Sequence, residues 1–295
     1  MSPEILFATA IGGVVNGGLY ALLGIAIVLV FSTTGVANFA QGELATFGGF
    51  VFLMLVLPIG LGVPGSWIVT IGSMGIVGIL IYVVIVRPRR TADHLNLTVR
   101  TLGLSTLLHS VDVFTWGTNE PYQFPSLFGT GTVQLGSVAL SRDQLGTLAA
   151  AAVVGIAFFA FFRFTVAGLA MRAVAIDRDV AALQGVSIQR TNILIWVVAT
   201  ILSAVVGLLA APISFLETGL MQPYILKAFT AAIIGGMYSF PGVVAGGLIL
   251  GVAESFASAA TSVHFREPFA FAVLLLVLLL RPAGLFASGG VVRRV

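Results

Sequence analysis

The residues best suited to act on a solute lie in Asn38-Phe39-Ala40-Gln41-Gly42-Glu43, at the opening of an apolar segment that continues to Pro58. Amides and a carboxylate inside a membrane span are costly, and by default they mark a functional site. Glycines at 35, 42, 48 and 49 tolerate a broken helix start, the kind of irregular backbone that lines a cavity. Asn38, Gln41, Gly42 and Glu43 are therefore candidates for the wall or gate of a solute path; the alternative is a position at the interface, where polar groups cost little. His109 and Asp112 stand at i, i+3 and can meet on one helix face, open to a proton relay or to an interfacial hydrogen bond. The third constellation is the charged island 166–192, with Arg172, Asp177, Arg178, Asp179 and Arg190. Asp177 is placed to cap a short helix through Gln184, Gly185 to end it in a left-handed conformation, and Ser187 to cap the next helix. Such an element either docks a partner outside the membrane or is a solvated connector.

These residues are carried by a chain that cannot fold with its apolar surface in water. Charged residues are 8% and the mean hydropathy is +1.10, against roughly 25% charged in a soluble domain. The sequence predicts an all-α polytopic membrane protein, a single transmembrane domain over 1–295 with about eight to nine transmembrane or re-entrant segments. The expected segments are 5–31, the run to Pro58, 67–86, a more polar 101–116, 145–164, 193–216, two short segments at 225–237 and 243–258 joined by a Pro-Gly turn, and 268–280. Lys227 and Glu254 stand at the far ends of the two short segments. Small residues around Asn16-Gly17-Gly18 allow close helix approach, and Asn16 either hydrogen-bonds between helices or lines a path. The 117–144 stretch is non-helical, with a small hairpin over 132–141 about Gly136-Ser137. The N-terminus lacks the basic opening of a signal peptide, so the first span is expected to stay in the mature protein.

Several chemistries are excluded. There are no cysteines, hence no disulfides, thiol nucleophiles or cysteine metal sites. His94, His109 and His264 lack zinc-ligand spacing. No phosphate-binding glycine loop or HExxH is present, so the chain neither hydrolyses nucleotide nor acts as a metalloprotease by itself. The pI near 9.7 comes with a net charge of only +3, and the arginines lie at span ends, a topology signal rather than a nucleic-acid face. Eleven of the fourteen basic residues fall on one side if Arg87, Arg89, Arg90 and Arg100, then Arg163, Arg172, Arg178 and Arg190, then Arg281, Arg293 and Arg294 are cytoplasmic. The N-terminus is then outside, the C-terminus inside, the 166–192 loop cytoplasmic and the 117–144 loop extracytoplasmic.

The segment GLYALLGIAIVLVFSTTGVANFAQGELATFGGF at 18–50 resembles the opening of branched-chain amino acid ABC-transporter permeases of the LivH/LivM type, with Gln41 where histidine is common. Arg87-Pro88, GLAMRAVAIDRDVAALQGVSIQR at 168–190, KAFTAAIIGGMYSFPGVVAGGLILGVAES at 227–255 and LLRPAGLF at 279–286 are similar to that family's later motifs in order. The resemblance implies a non-catalytic permease subunit in a bacterial-type inner membrane. It implies a second permease subunit, two ATPase subunits that carry the ATP and magnesium, and an extracytoplasmic substrate-binding protein; no cofactor is implied on this chain. Arg172, Asp177, Arg178 and Gly185 would then belong to the element coupled to the ATPase. The implied substrate is a branched-chain amino acid or a related small polar solute such as urea or a short amide. The rival class is a self-sufficient channel or secondary transporter, which the short paired segments and Glu43 also suit.

Overall fold

The computed structural model describes residues 3–87, 94–117, 120–135, 138–281 and 284–286. In chain order its elements are α1 (Pro3–Thr34), α2 (Gln41–Val56), α3 (Val63–Ile81) with a π-helical extension Tyr82–Val86, α4 (His94–Trp116), β1 (Thr132–Leu135), β2 (Val138–Ser141), α5 (Arg142–Phe164), α6 (Val166–Ile176), α7 (Arg178–Leu183), α8 (Ile188–Ser214), α9 (Gln222–Gly235), α10 (Phe240–Ala260) and, after a 3-10 turn at Val263–Phe265, α11 (Arg266–Leu280). Among the described residues, six helical stretches are long and apolar enough to cross a membrane: α1, α3 with its extension, α5, α8, α10 and α11 with its preceding turn. α2 and α9 have 16 and 14 residues. At 1.5 Å per residue they span about 24 and 21 Å, short of the ~30 Å hydrocarbon layer. The chain is a polytopic helical membrane protein.

Local chemistry moves some boundaries from their expected places. α5 starts at Arg142 because Ser141 and Gln144 close a capping box: Asp143 N donates to Ser141 Oγ at 3.3 Å and Ser141 N to Gln144 Oε1 at 3.2 Å. α4 reaches back to His94, and the hydroxyls of Thr98 and Thr101 turn onto the carbonyls of His94 and Thr98. The expected hairpin forms, antiparallel with Thr132 opposite Ser141 and Leu135 opposite Val138; its turn, Gly136-Ser137, lies outside the described residues. The rest of this long connection is clasped by aromatic rings. Trp116 stacks on Phe50 at 4.9 Å, Tyr122 meets Phe50 edge-on at 5.9 Å, and Phe124 stacks on Phe52 at 5.3 Å.

The helices form two similar triplets. α1–α2–α3 and α8–α9–α10 each run as a long helix, a break, a short helix and another long helix. A positive-φ residue sits at each break, Gly35 at +70° and Phe215 at 61°. The triplets interlock: α1 packs on α9 and α10, α8 packs on α2 and α3, and α1 and α8 pack on each other at the centre. Glycines set the closest of these approaches. A Cβ on Gly17 would stand 2.8 Å from Gly247 O, and one on Gly251 2.5 Å from Gly17 Cα. Gly13 and Gly17 on α1 thus face Gly247 and Gly251 on α10, small-xxx-small against small-xxx-small. Gly18, by contrast, has only an ordinary contact with Ala151 at 3.5 Å. On the other triplet, a Cβ on Gly207 of α8 would strike Ala45 O of α2 at 1.9 Å.

This packing makes a direct prediction. Gly251→Ala should force α1 and α10 apart at an overpacking cost of about 1–3 kcal/mol, outweighing the ~1 kcal/mol gained in helix propensity. Gly72→Ala, where nothing lies within 4 Å, should leave stability unchanged or raised. Thermal melting of the purified protein in detergent checks both; equal melting of Gly251→Ala and wild type would refute the tight crossing.

Candidate functional site

α2 starts inside the bundle. α1 ends at Thr34, the chain turns through Gly35, and Asn38 builds the entry to α2 with its own side chain. Asn38 Oδ1 accepts from Ala40 N at 3.1 Å, and Asn38 Nδ2 donates to Gln41 Oε1 at 2.6 Å. Gln41 Nε2 then donates to Ala199 O at 2.8 Å and Ser203 Oγ at 2.6 Å, both on α8. Asn38 and Gln41 are fully buried, and their amides brace the first turn of α2 against α8. Gly42 sits at a close approach, its would-be Cβ 3.3 Å from Ile225 Cβ and 3.4 Å from Met221 Cβ. The four expected pathway residues thus separate into three that seat the helix and one, Glu43, that projects a carboxylate from its first turn. The helix dipole favours an anion there.

Glu43 faces α4. Its Oε2 stands 3.5 Å from His109 Nδ1, with Glu43 13% and His109 37% exposed at the side chain. Asp112 lies one turn beyond His109 and is completely buried. Among the described residues, neither oxygen of Asp112 has a hydrogen-bond partner, and neither do Glu43 Oε2 and His109 Nδ1. The sequence spacing paired His109 with Asp112; the structure brings in Glu43 as the facing partner of the imidazole.

A second polar group was visible in the sequence only as two isolated charges. α9 begins next to the first turn of α2, as the contacts of Gly42 show, while Leu216 lies 3.0 Å from the Cβ position of Gly49, two turns along α2. The non-helical stretch 215–221 therefore runs about 10 Å down the side of α2 before α9 starts. α9 and α10 then return as an antiparallel pair, which brings Lys227 and Glu254 together. Lys227 Nζ donates to Glu254 Oε1 at 2.6 Å, Tyr20 Oη donates to Glu254 Oε2 at 3.0 Å, and Nζ lies 5.5 Å from the centre of the Tyr20 ring. Tyr20 meets Tyr224 edge-on at 5.8 Å, and the Tyr224 hydroxyl lies 2.8 Å from Ser214 Oγ. This buried chain ties α1, α8, α9 and α10 together.

The charged island folds as two short helices, α6 and α7, where one was expected. Thr165 Oγ1 accepts from Gly168 N at 3.0 Å to cap α6. A Cβ on Gly168 would lie 2.3 Å from Phe162 O, so α6 turns sharply off the end of α5. Asp177 caps α7, accepting from Asp179 N at 2.9 Å and Val180 N at 3.0 Å. Gly185, at φ +85°, ends it in a Schellman arrangement, with Val186 N donating to Ala181 O and Gly185 N to Ala182 O. Ser187 occupies the N-cap position of α8, but its hydroxyl makes no cap bond. Its carbonyl instead accepts from Thr191 N and Thr191 Oγ1, each at 3.0 Å. Arg172 is folded inward, donating to Arg163 O at 3.1 Å with its guanidinium 5.9 Å from the Phe162 ring centre. Arg178 is exposed, beside Val180 at 54% and Leu183 at 86% exposure.

Comparison with known proteins gives this arrangement a class. Residues 9–280 match the family model described as branched-chain amino acid transport system, permease component. The chain belongs to that family. It is 32% identical to the high-affinity branched-chain amino acid transport system permease protein LivH of Salmonella typhimurium, over 97% of each chain. It is 31% identical to BraD, a permease protein of the same description from Pseudomonas aeruginosa, over 96% of this chain and 97% of that one. A probable permease LivH of Methanocaldococcus jannaschii is 26% identical over 83% of this chain and 78% of its own.

The Lys227–Glu254 pair has a distinctive energetic signature. Lys227→Met leaves Glu254 buried and unpaired and should cost about 3–5 kcal/mol, whereas Lys227→Met with Glu254→Leu should recover much of that loss. Melting of the single and double variants checks this; a double variant as unstable as the single would show that Tyr20 and its neighbours demand the charge.

Proposed function

We propose that this chain is the membrane-spanning permease subunit of an ATP-driven importer of the ABC class. Its substrate in this reading is a branched-chain amino acid or a related small polar solute. It pairs with a second permease subunit and is driven by two ATPases that bind the ATP and magnesium. It receives solute from an extracytoplasmic binding protein at a bacterial-type cytoplasmic membrane. The observation that carries the proposal is the match to branched-chain amino acid permease components over 9–280. The α6–α7 elbow supports it: a small helix with a side-chain cap at Asp177 and a Schellman stop at Gly185 is rigid enough to transmit a push. The exposed Arg178, Val180 and Leu183 give an ATPase something to grip. Arg172 acts from within, holding α6 to the end of α5, while Arg178 offers charge-assisted bonds to acidic groups on the partner. In this reading Glu43 lines the solute path, and Asn38, Gln41 and Gly42 fix its position.

In the proposed topology α1, α2, α3, α4, α5, α8, α9, α10 and α11 make nine crossings, two of them by short helices. The N-terminus is outside, the C-terminus inside, α6–α7 cytoplasmic and the 117–144 connection extracytoplasmic. The distribution of arginines supports this orientation. Because the chain has no cysteine, single cysteines at Glu120 and Arg178 test it: an impermeant thiol reagent added outside should label the first and not the second. Labelling at 178 from outside would invert the topology.

Coupling is tested by Gly185→Val, which strains a left-handed position, and by Arg178→Ala. Asp177→Ala removes a cap worth about 0.5–2 kcal/mol. Each variant should insert normally, recover less ATPase on purification and take up less solute. Normal copurification with full uptake in all three would make α7 a connector. A self-sufficient transporter, by contrast, would move solute when reconstituted without any ATPase.

A further inference from the structure

We propose that Glu43, His109 and Asp112 form a recognition site for an ammonium group, the cationic end of an amino-acid substrate, in the groove between α2 and α4. The proposal rests on the amino-acid importer reading above and assigns it a specific contact inside the permease. Asp112 is the key. It is fully buried, and among the described residues both its carboxylate oxygens lack a donor. Native interiors rarely leave such a group unpaired, and one that persists asks for a missing partner. The neighbouring Glu43 Oε2 and His109 Nδ1 are also without hydrogen bonds, facing each other at 3.5 Å. One imidazole brings at most two N–H donors to two carboxylates, so the groove retains an excess of acceptors.

The missing partner must be a compact donor-rich cation. An ammonium supplies three N–H donors from a single point charge, and Asp112 on α4 and Glu43 on α2 each carry buried oxygen without a donor among the described residues. The site is open at one edge, where His109 is 37% exposed, whereas Asp112 is fully buried. It is also held in place from behind, since the Asn38–Gln41 brace fixes the turn that presents Glu43. A preorganised pair of carboxylates beside a helix start would hold the polar end of the solute and leave its aliphatic end to slide along apolar walls.

The test uses the full-length permease in nanodiscs with one cysteine replacing Ser105, one helical turn from His109. Two thiosulfonate reagents of similar size are compared, one bearing a trimethylammonium group and the other a sulfonate. The cationic reagent should react at least ~10-fold faster, in the range that a focused field of one sign produces. That preference should shrink towards unity in Asp112→Asn and in Glu43→Gln, and millimolar leucine should slow the cationic reagent. In the assembled importer the same two variants should lower leucine uptake by about tenfold or more, as loss of one charge-assisted contact does. Equal rates for the two reagents, no reaction with either, or unchanged uptake in both variants would overturn the proposal. Should Asp112→Asn fail to fold, Glu43→Gln, at the more accessible rim, still decides it. Failure of the permease to copurify with an ATPase would strike the importer reading instead, because the thiol measurement needs no ATPase.

Discussion

The structure depends on how closely α1 can approach its neighbours. A helix buried on nearly all sides gains nothing from an amphipathic face and must be held by packing alone, and in a lipid-like surrounding that packing is dispersion between backbones brought within contact. Gly13 and Gly17 against Gly247 and Gly251 achieve this for α1 and α10, and Gly207 against Ala45 for α8 and α2. Each polar feature of the core is then positioned by one of these crossings. The α1–α10 crossing sets Tyr20 within reach of Glu254. The α2–α8 crossing lets Gln41 span to Ala199 and Ser203, and through Gln41 it sets where Glu43 stands.

The interlocked triplets explain why two short helices are tolerated. An isolated helix start inside a bilayer would leave backbone N–H groups without acceptors. α2 and α9 begin beside each other, enclosed by the long helices of the opposite triplet. Asn38 serves the entry to α2, and the stretch before α9 satisfies itself through turns from Leu220 to Glu217 and from Gln222 to Gly219. Phe215, a non-glycine residue at positive φ, marks where the backbone is bent into the bundle. Such residues are uncommon enough to imply that the surrounding packing dictates the bend.

Much of this was legible in the sequence, for physical reasons that differ by element. The α7 caps were readable because Asp177 and Gly185 act within a few residues of themselves. The short helix α9 was legible from length alone, since 225–237 is too short to cross a bilayer comfortably, whereas the expected short segment 243–258 is part of the 21-residue α10. What the sequence could not convey were relationships that exist only across the fold. Lys227 and Glu254 read as two stray charges until the α9–α10 return brought them to 2.6 Å. His109 read as the partner of Asp112 because both lie on one helix, yet the imidazole faces a carboxylate from another. Arg172 and Arg178 looked equivalent by type, and only the sharp turn at Gly168 shows that one folds inward and the other outward. The start of α6 was missed because Val166-Ala167-Gly168 carries no charge or strong propensity, and its cap at Thr165 belongs to the preceding span.

The exchange of partners between the triplets bears on how the protein is made. α1 leaves the ribosome early, but the faces that cover it belong to α8, α9 and α10, which follow roughly 150–250 residues later. At ~5–20 residues per second the first helix waits on the order of ten seconds or more for its glycine face to be filled. During that interval Tyr20 and Gln41 sit in the insertion machinery or in lipid without the partners they have in the finished protein. The nascent first half is thus not a folding unit, and biogenesis must hold it in trust until the second half arrives. Any truncation after α5 leaves a chain with its central helix uncovered, the kind of unfinished product that membrane quality control removes.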